Sequence, residues 1–390
     1  MRNTHTRHRN AGWWQRRALF CAVAVAFLSA CQPDAPHGEA LVAQRVMGES
    51  GDEPGQFGYP RCLASDAAAG QLWVIDKLAR VQRIDAATGK SLEDWQTPKF
   101  DKGKPTGATV WRPAHAQAPN ATPAMLIIAD THEHRVLCYA LRDPPQSNST
   151  VVRTPPTLVT TFGSFGEGDG QFIYTTDVAV LPTADGDRIE KLYVGEYGGN
   201  DRVHIWRAET APDGSIGFIF ERTFGHMGPS ASADNIQFNR PHSLVIDAAQ
   251  RQLILSDACN HRVGVFTLDG NLVRWFGKPA SEGHVAGTGP GEFTYPYGIE
   301  LLGDGTLMVC EFGNNRLQRL DLTTGACLGL FGQPGRARGQ LSTPWACVSV
   351  GPNVYILDSG NSRLQMIEKP TGHPRALTDA QARTSGGGGG

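Results

Sequence analysis

From residue 41 onward, short apolar runs alternate with polar turns, and the same arrangement returns six times. Between Glu292 and Gly332, Phe293 and Pro296 lead into an apolar run, Tyr297 to Leu302, which ends at the turn Gly303-Asp304-Gly305. A second run, Leu307 to Glu311, closes on an acid before Gly313-Asn314-Asn315; a third opens with Arg316, and a fourth ends at Phe331-Gly332. Runs of this length between Gly, Asn and Asp turns predict four antiparallel strands in a meander.

The lead-in recurs as Gln56-Phe57-Gly58-Tyr59-Pro60, Gln171-Phe172-Ile173-Tyr174-Thr175, Gln237-Phe238-Asn239-Arg240-Pro241 and Gln340-Leu341-Ser342-Thr343-Pro344. An acid ends each second strand and an Arg opens the third: Asp76 and Arg80, Asp130 and Arg135, Glu196 and Arg202, Asp257 and Arg262, Glu311 and Arg316, Asp358 and Arg363. Successive acids lie 47 to 66 residues apart, so the chain is a repeat protein, and four strands per repeat predict an all-β, six-bladed propeller of antiparallel blades. Acid and Arg flank a hairpin, where a charge-assisted hydrogen bond fixes turn and register, so these twelve residues are expected to be structural.

The last repeat offers three strands, from Trp345 to Ile367, before Lys369-Pro370. Leu41 to Met47 has no repeat of its own. An uncapped blade would expose a strand edge, so this segment is predicted to pair antiparallel with Arg363 to Ile367 and close the ring.

The pattern acid-x-x-Asn-x-Arg after a strand, as in Asp257-Ala258-Cys259-Asn260-His261-Arg262-Val263, resembles the NHL repeat, and the likeness extends over about residues 41 to 368. The resemblance implies a propeller and leaves activity open, since such propellers serve as scaffolds, as ligand binders and, in a few lineages, as enzymes.

Ahead of the repeats, five Arg precede an apolar run of thirteen residues, Ala18 to Ala30, which is short for a membrane span and suits a signal-peptide core. Leu28-Ser29-Ala30-Cys31 resembles a bacterial lipobox, which implies lipidation of Cys31; an ordinary signal peptide cut near the same residues is the alternative. The expected organisation is a leader with its lipidated Cys (1–31), a tether (32–40), the propeller (41–369) and a Gly-rich tail (370–390). Gln32 after the Cys resembles outer-membrane sorting in Gram-negative bacteria, so an exported, membrane-anchored monomer is expected. The net charge is −2, and removing the basic leader takes it to near −7, which argues against nucleic acid as a partner. Six cysteines remain, at 62, 138, 259, 310, 327 and 347, without paired spacing, so buried single thiols are expected.

A propeller gathers its innermost strands at an axis, and the residue after the lead-in marks the mouth of that axis. Those residues are Arg61, Thr106, Thr176, His242, Tyr297 and Trp345, with Asp177 beside Thr176. They predict a pit for an anionic or aromatic ligand, or else a plug. Pro241-His242-Ser243-Leu244 resembles the lyase domain of peptide-amidating enzymes, whose axial zinc takes three such histidines; here there is one, too few for zinc. Six-bladed lactonases imply an axial calcium with several acidic ligands, and only Asp177 offers itself. His132-Glu133-His134 falls on a hairpin turn without a third donor. The expectation is a binding scaffold for a protein, peptide or small molecule, without cofactor; the alternative is a metalloenzyme using zinc or calcium at the axis.

Overall fold

The computed structural model describes residues 41–99, 101, 104–116, 121–143 and 150–371. The leader, Cys31, the tether and the tail beyond residue 371 lie outside the described residues.

Six sheets stand around an axis, each a meander whose first strand is innermost. The inner strands are Pro60–Asp66, Gly107–Trp111, Tyr174–Pro182, Pro241–Asp247, Pro296–Leu301 and Pro344–Val350, in blades I to VI. Each packs on the next, and that of blade VI packs on that of blade I. The core is divided in the same way: six apolar clusters fill the six spaces between neighbouring blades.

The ring closes as predicted. Arg45–Met47 pairs antiparallel with Arg363–Glu368, Arg45 opposite Met366 and Met47 opposite Leu364. The strand is shorter than Leu41 to Met47, because the preceding residues are held from the side: Arg338 donates through Nε to the Ala43 carbonyl at 2.6 Å, and Leu41 is buried between blades V and VI.

The acid and Arg marks clamp more than a hairpin. In blade IV the Asp257 carboxylate accepts from the Asn239 amide at 2.6 Å, from Asn260 at 2.8 Å and from Arg262 Nε at 2.7 Å. The far end of Arg262 donates to the carbonyls of Pro229, Ser230 and Gln237, so one ion pair pins the whole lead-in loop. Arg202, Arg316 and Arg363 repeat this on their own lead-ins. The Gly that ends the preceding outer strand is fixed by the same packing: a Cβ on Gly48, Gly163 or Gly225, all at positive φ, would stand 2.2 to 2.4 Å from the ring of Phe57, Phe172 or Phe238.

Two segments add to the four-stranded template. The loop after blade IV contains a fifth strand, Gly283–Val285, folded back on Lys278–Ala280. Among the described residues of the insertion after Trp111, Ala114 and Thr122 donate to the Gly186 and Asp187 carbonyls, which docks it on a hairpin of blade III. The six cysteines are free thiols, five of them buried.

Candidate functional site

Just after the lead-in Pro, the register of the inner strand slips against the second strand in blades I, IV, V and VI, and blade III slips at the equivalent place. The residues freed from pairing are Arg61, Thr176 with Asp177, His242 with Ser243, Tyr297 with Gly298, and Trp345. A bulge re-aims side chains, and here it points the predicted residues inward. Blade II has Pro105 ahead of Thr106 but no bulge, and Thr106 serves as a tie, its hydroxyl donating to the Thr176 carbonyl at 2.9 Å.

His242 stacks on Tyr297 with centroids 4.0 Å apart and planes 11° apart, while Trp345 meets both rings edge-on. All three are nearly inaccessible, so they form a septum across the axis. Arg61 lies over the rings of Tyr59 and Trp345, at 5.7 and 5.4 Å. A second guanidinium, Arg240, lies over Tyr197 and Tyr297 at 4.9 and 5.3 Å. Neither Arg forms an ion pair among the described residues. Burial pulls Arg61 below its ordinary pKa. Burial, with the charges of Arg240 and Arg61 behind it, holds His242 neutral, well below the usual imidazole range. Burial also pushes the Tyr297 hydroxyl up to about 12. The mouth is therefore cationic, with neutral hydrogen-bonding groups beneath.

Several polar atoms here have no partner among the described residues: Nε of Arg61 and Arg240, the Thr176 hydroxyl, both ring nitrogens of His242 and Nε1 of Trp345. Buried groups of this kind are normally paired, so their gathering at one level marks where another molecule fits.

Sequence reasoning missed Arg240 and Tyr59. Both precede the lead-in Pro and have positive φ, 62° and 54°, as do Tyr295 and Thr343. A bulky residue held there is strained, and the strain is supported by the preceding blade: the Arg240 amide donates to Asp201, and the Thr343 amide to Asn315. The signal available in sequence was an aromatic or Arg where a turn residue would serve.

Below the septum a cavity of about 420 Å³ follows the axis toward the opposite face. Asp177 and Glu300 line it. Asp177 accepts from Ser243 and from the amides of Leu244 and Val178, stitching blade III to blade IV; burial pushes it up to about 7. Glu300 accepts from the Ser349 amide at 2.8 Å, and burial pushes it also to about 7.

The donors for a metal do not assemble. No group of three or more His, Cys, Asp or Glu is arranged to hold an ion among the described residues, and His242 is the lone imidazole lining the cavity. The donor set does not fit an axial zinc or calcium. His132 and His134 instead pack on Tyr174, at 5.2 and 5.6 Å, and burial takes His132 down to about 4.

The NHL repeat matches residues 238–266, which span the lead-in Phe and the first three strands of blade IV. No curated protein matches the chain. A structural genomics protein of unknown function from Bacteroides thetaiotaomicron VPI-5482 superposes with a TM-score of 0.53 at 15% identity, over 85% of this chain and 75% of that one. Virginiamycin B lyase from Staphylococcus aureus gives 0.45 at 14% identity, over 80% of each chain. A streptogramin B lyase gives 0.47 at 13%, over 86% of this chain and 90% of that one. At these identities the likeness is one of fold. The chain is a six-bladed β-propeller carrying an NHL repeat at residues 238–266.

Proposed function

We propose that the protein is an exported, lipid-anchored binding propeller whose axial mouth captures a ligand carrying a carboxylate beside a flat, unsaturated surface. The reading rests on one observation: Arg61 and Arg240 face the mouth without acidic partners, each supported only by aromatic rings, above the unpartnered His242 and Trp345. A guanidinium taken from water without an anion is costly, and a carboxylate arriving there gains a charge-assisted, bidentate bond. The surrounding Tyr and Trp faces suit a planar body.

Benzoate and indole-3-acetate are suitable probes, with benzamide and benzylamine as controls. The acids bind and the controls do not; Arg61→Ala and Arg240→Ala weaken binding at least tenfold while leaving the melting temperature nearly unchanged. Equal binding of benzylamine, or acid binding indifferent to both substitutions, sinks the reading. The anchor is tested separately: Cys31→Ser moves the protein from membranes to a soluble exported fraction. Scaffold and metalloenzyme are separated by metal analysis of the purified protein, where stoichiometric zinc or calcium would favour the enzyme.

A further inference from the structure

Beyond the septum, the 420 Å³ cavity is chemically the reverse of the mouth. Its walls mix inner-strand Val, Leu, Ile and Ala with Ser65, Thr109 and Ser243, and among the described residues no Lys or Arg lines it. Its two charged groups are the carboxyls of Asp177 and Glu300. The cations nearby are engaged elsewhere: Arg112 is bound through two nitrogens to Asp66, and Lys369 donates to the Leu302 carbonyl. At its closed end His242, 3% exposed, presents two unpartnered nitrogens, and Trp345, 5% exposed, an unpartnered indole N–H. Trp111, also lining the cavity, is buried with its N–H unpartnered.

We infer that this cavity is a second binding site, for a small organic ammonium ion that also carries a hydrogen-bond acceptor. The ammonium group sits against Glu300, whose carboxyl has Ser349 alone as its hydrogen-bonding neighbour and keeps lone pairs free; Asp177, with three donors already, adds field more than contact. The acceptor end meets the N–H of Trp345, and the aliphatic parts of the wall take the chain between. A bare metal ion is the poorer occupant, because it needs several oxygens converging on one point. The size suits such a molecule, since small-molecule pockets begin at about 300 Å³. The inference does not rest on the ligand of the mouth, whose charge has the opposite sign, although Trp345 stands between the two sites.

Glu300 sets the pH dependence. Lys369 and Cys347 are the titratable groups facing it, Cys62 faces Asp177, and His242 is neutral throughout. An ammonium ion requires the ionised carboxylate, so binding strengthens as pH rises through about 7.

The probe is 4-amino-1-butanol, followed by calorimetry and by tryptophan fluorescence, with 1,4-butanediol and succinate as controls. Its affinity should rise about tenfold from pH 6 to pH 8, the change in ionised fraction of one carboxyl near 7. Glu300→Gln keeps an acceptor for the Ser349 amide, weakens the amine about tenfold at pH 8 and flattens the pH profile. Should that variant misfold, the wild-type protein still decides: amine binding near pH 6.5 releases a proton, measured in two buffers of different ionisation enthalpy. The site is overturned if the diol binds as well as the amine, if no proton is released, or if Glu300→Gln leaves affinity and slope intact. Loss of amine binding in Arg61→Ala with Glu300→Gln unaffected would place the amine at the mouth and also overturn the inference.

Discussion

Arg262 and Arg240 belong to the same blade and live in opposite circumstances. Arg262 is fully buried, ion-paired to Asp257 at 2.7 Å, bonded to three carbonyls and stacked on Trp275 at 3.8 Å. Arg240 has aromatic faces beneath it, no acid at its guanidinium, and an Nε without any acceptor. The first is a complete internal circuit. The second is half of one, which is the difference between a residue that holds the fold and a residue that waits for a partner. Arg80, Arg202, Arg316 and Arg363 fall with Arg262; Arg61 falls with Arg240.

The severest way to break the contrast is to turn a satisfied arginine into an unsatisfied one. Removing the chain through Met47 takes the Ala43 carbonyl from Arg338 and bares the edge of Arg363–Glu368. The loss should be about 5 kcal/mol or more, a large part of a domain's stability, seen as a collapse of the melting temperature. A shortened protein that melts like the full chain would mean that the ring closes without its strand.

Arg262→Ala comes next. It leaves Asp257 buried beside its lead-in amides and frees three carbonyls, for a cost of about 3 to 5 kcal/mol in urea unfolding. Arg262→Lys recovers little, since an ammonium cannot replace a planar fork. A loss under about 1 kcal/mol would mean that the clamp is incidental.

Much of this set was legible in the sequence, because acid, turn and Arg fall at fixed places in a meander. The closing strand was legible for the same reason, by counting strands. What was hidden follows from geometry that period-two reading does not carry. Gln82, Gln318 and Gln365 reach back from the third strand to the lead-in carbonyls of Gln56, Glu292 and Gln340, and His204, at the corresponding place in blade III, bonds Glu196 at 2.7 Å. These residues look like ordinary alternating polar positions. Arg240 and Tyr59 were hidden because the bulge that turns the axial residues inward is invisible in a hydrophobic pattern. Blade II shows the limit of the marks: Asp130 and Arg135 pair at 2.9 Å, yet among the described residues the other oxygen of Asp130 has no partner, and Phe100 and Pro105 stand five residues apart where blades I, IV and V have three.

Buried acids extend the contrast at smaller cost. Glu311 has Arg316 at 2.6 Å, whereas Glu300 has no arginine and is pushed up to about 7. An acid whose folded pKa is raised contributes stability that is complete below about 4.5 and is lost as pH rises through about 7. The protein should thus lose about 2 to 3 kcal/mol from this group between pH 5 and pH 8, and Glu300→Gln should remove that slope. Glu311→Gln should instead destabilise at both pH values, because it strands Arg316. Parallel pH profiles for the two variants would erase the distinction.

The smallest expected change is the sharpest test of the two arginine sets. Arg240→Met keeps an unbranched, apolar side chain over Tyr197 and Tyr297 and removes a charge that the protein never pairs. What is lost is a cation–π attraction of about 0.5 to 2 kcal/mol. What is regained is the cost of holding a desolvated guanidinium without an anion, which is of similar size and opposite sign, as when buried ion pairs give way to apolar residues. The two nearly cancel, so stability in urea should stay within about 1 kcal/mol of the parent, while the same substitution at Arg262 costs several times more. Binding separates the positions in the other direction: Arg240→Met should abolish the response to benzoate, and Arg262 has no route to the mouth except through the fold. If Arg240→Met unfolds the protein as Arg262→Met does, then Arg240 belongs to the structural set, its guanidinium has a partner in solution, and the mouth loses the charge on which its proposed ligand depends.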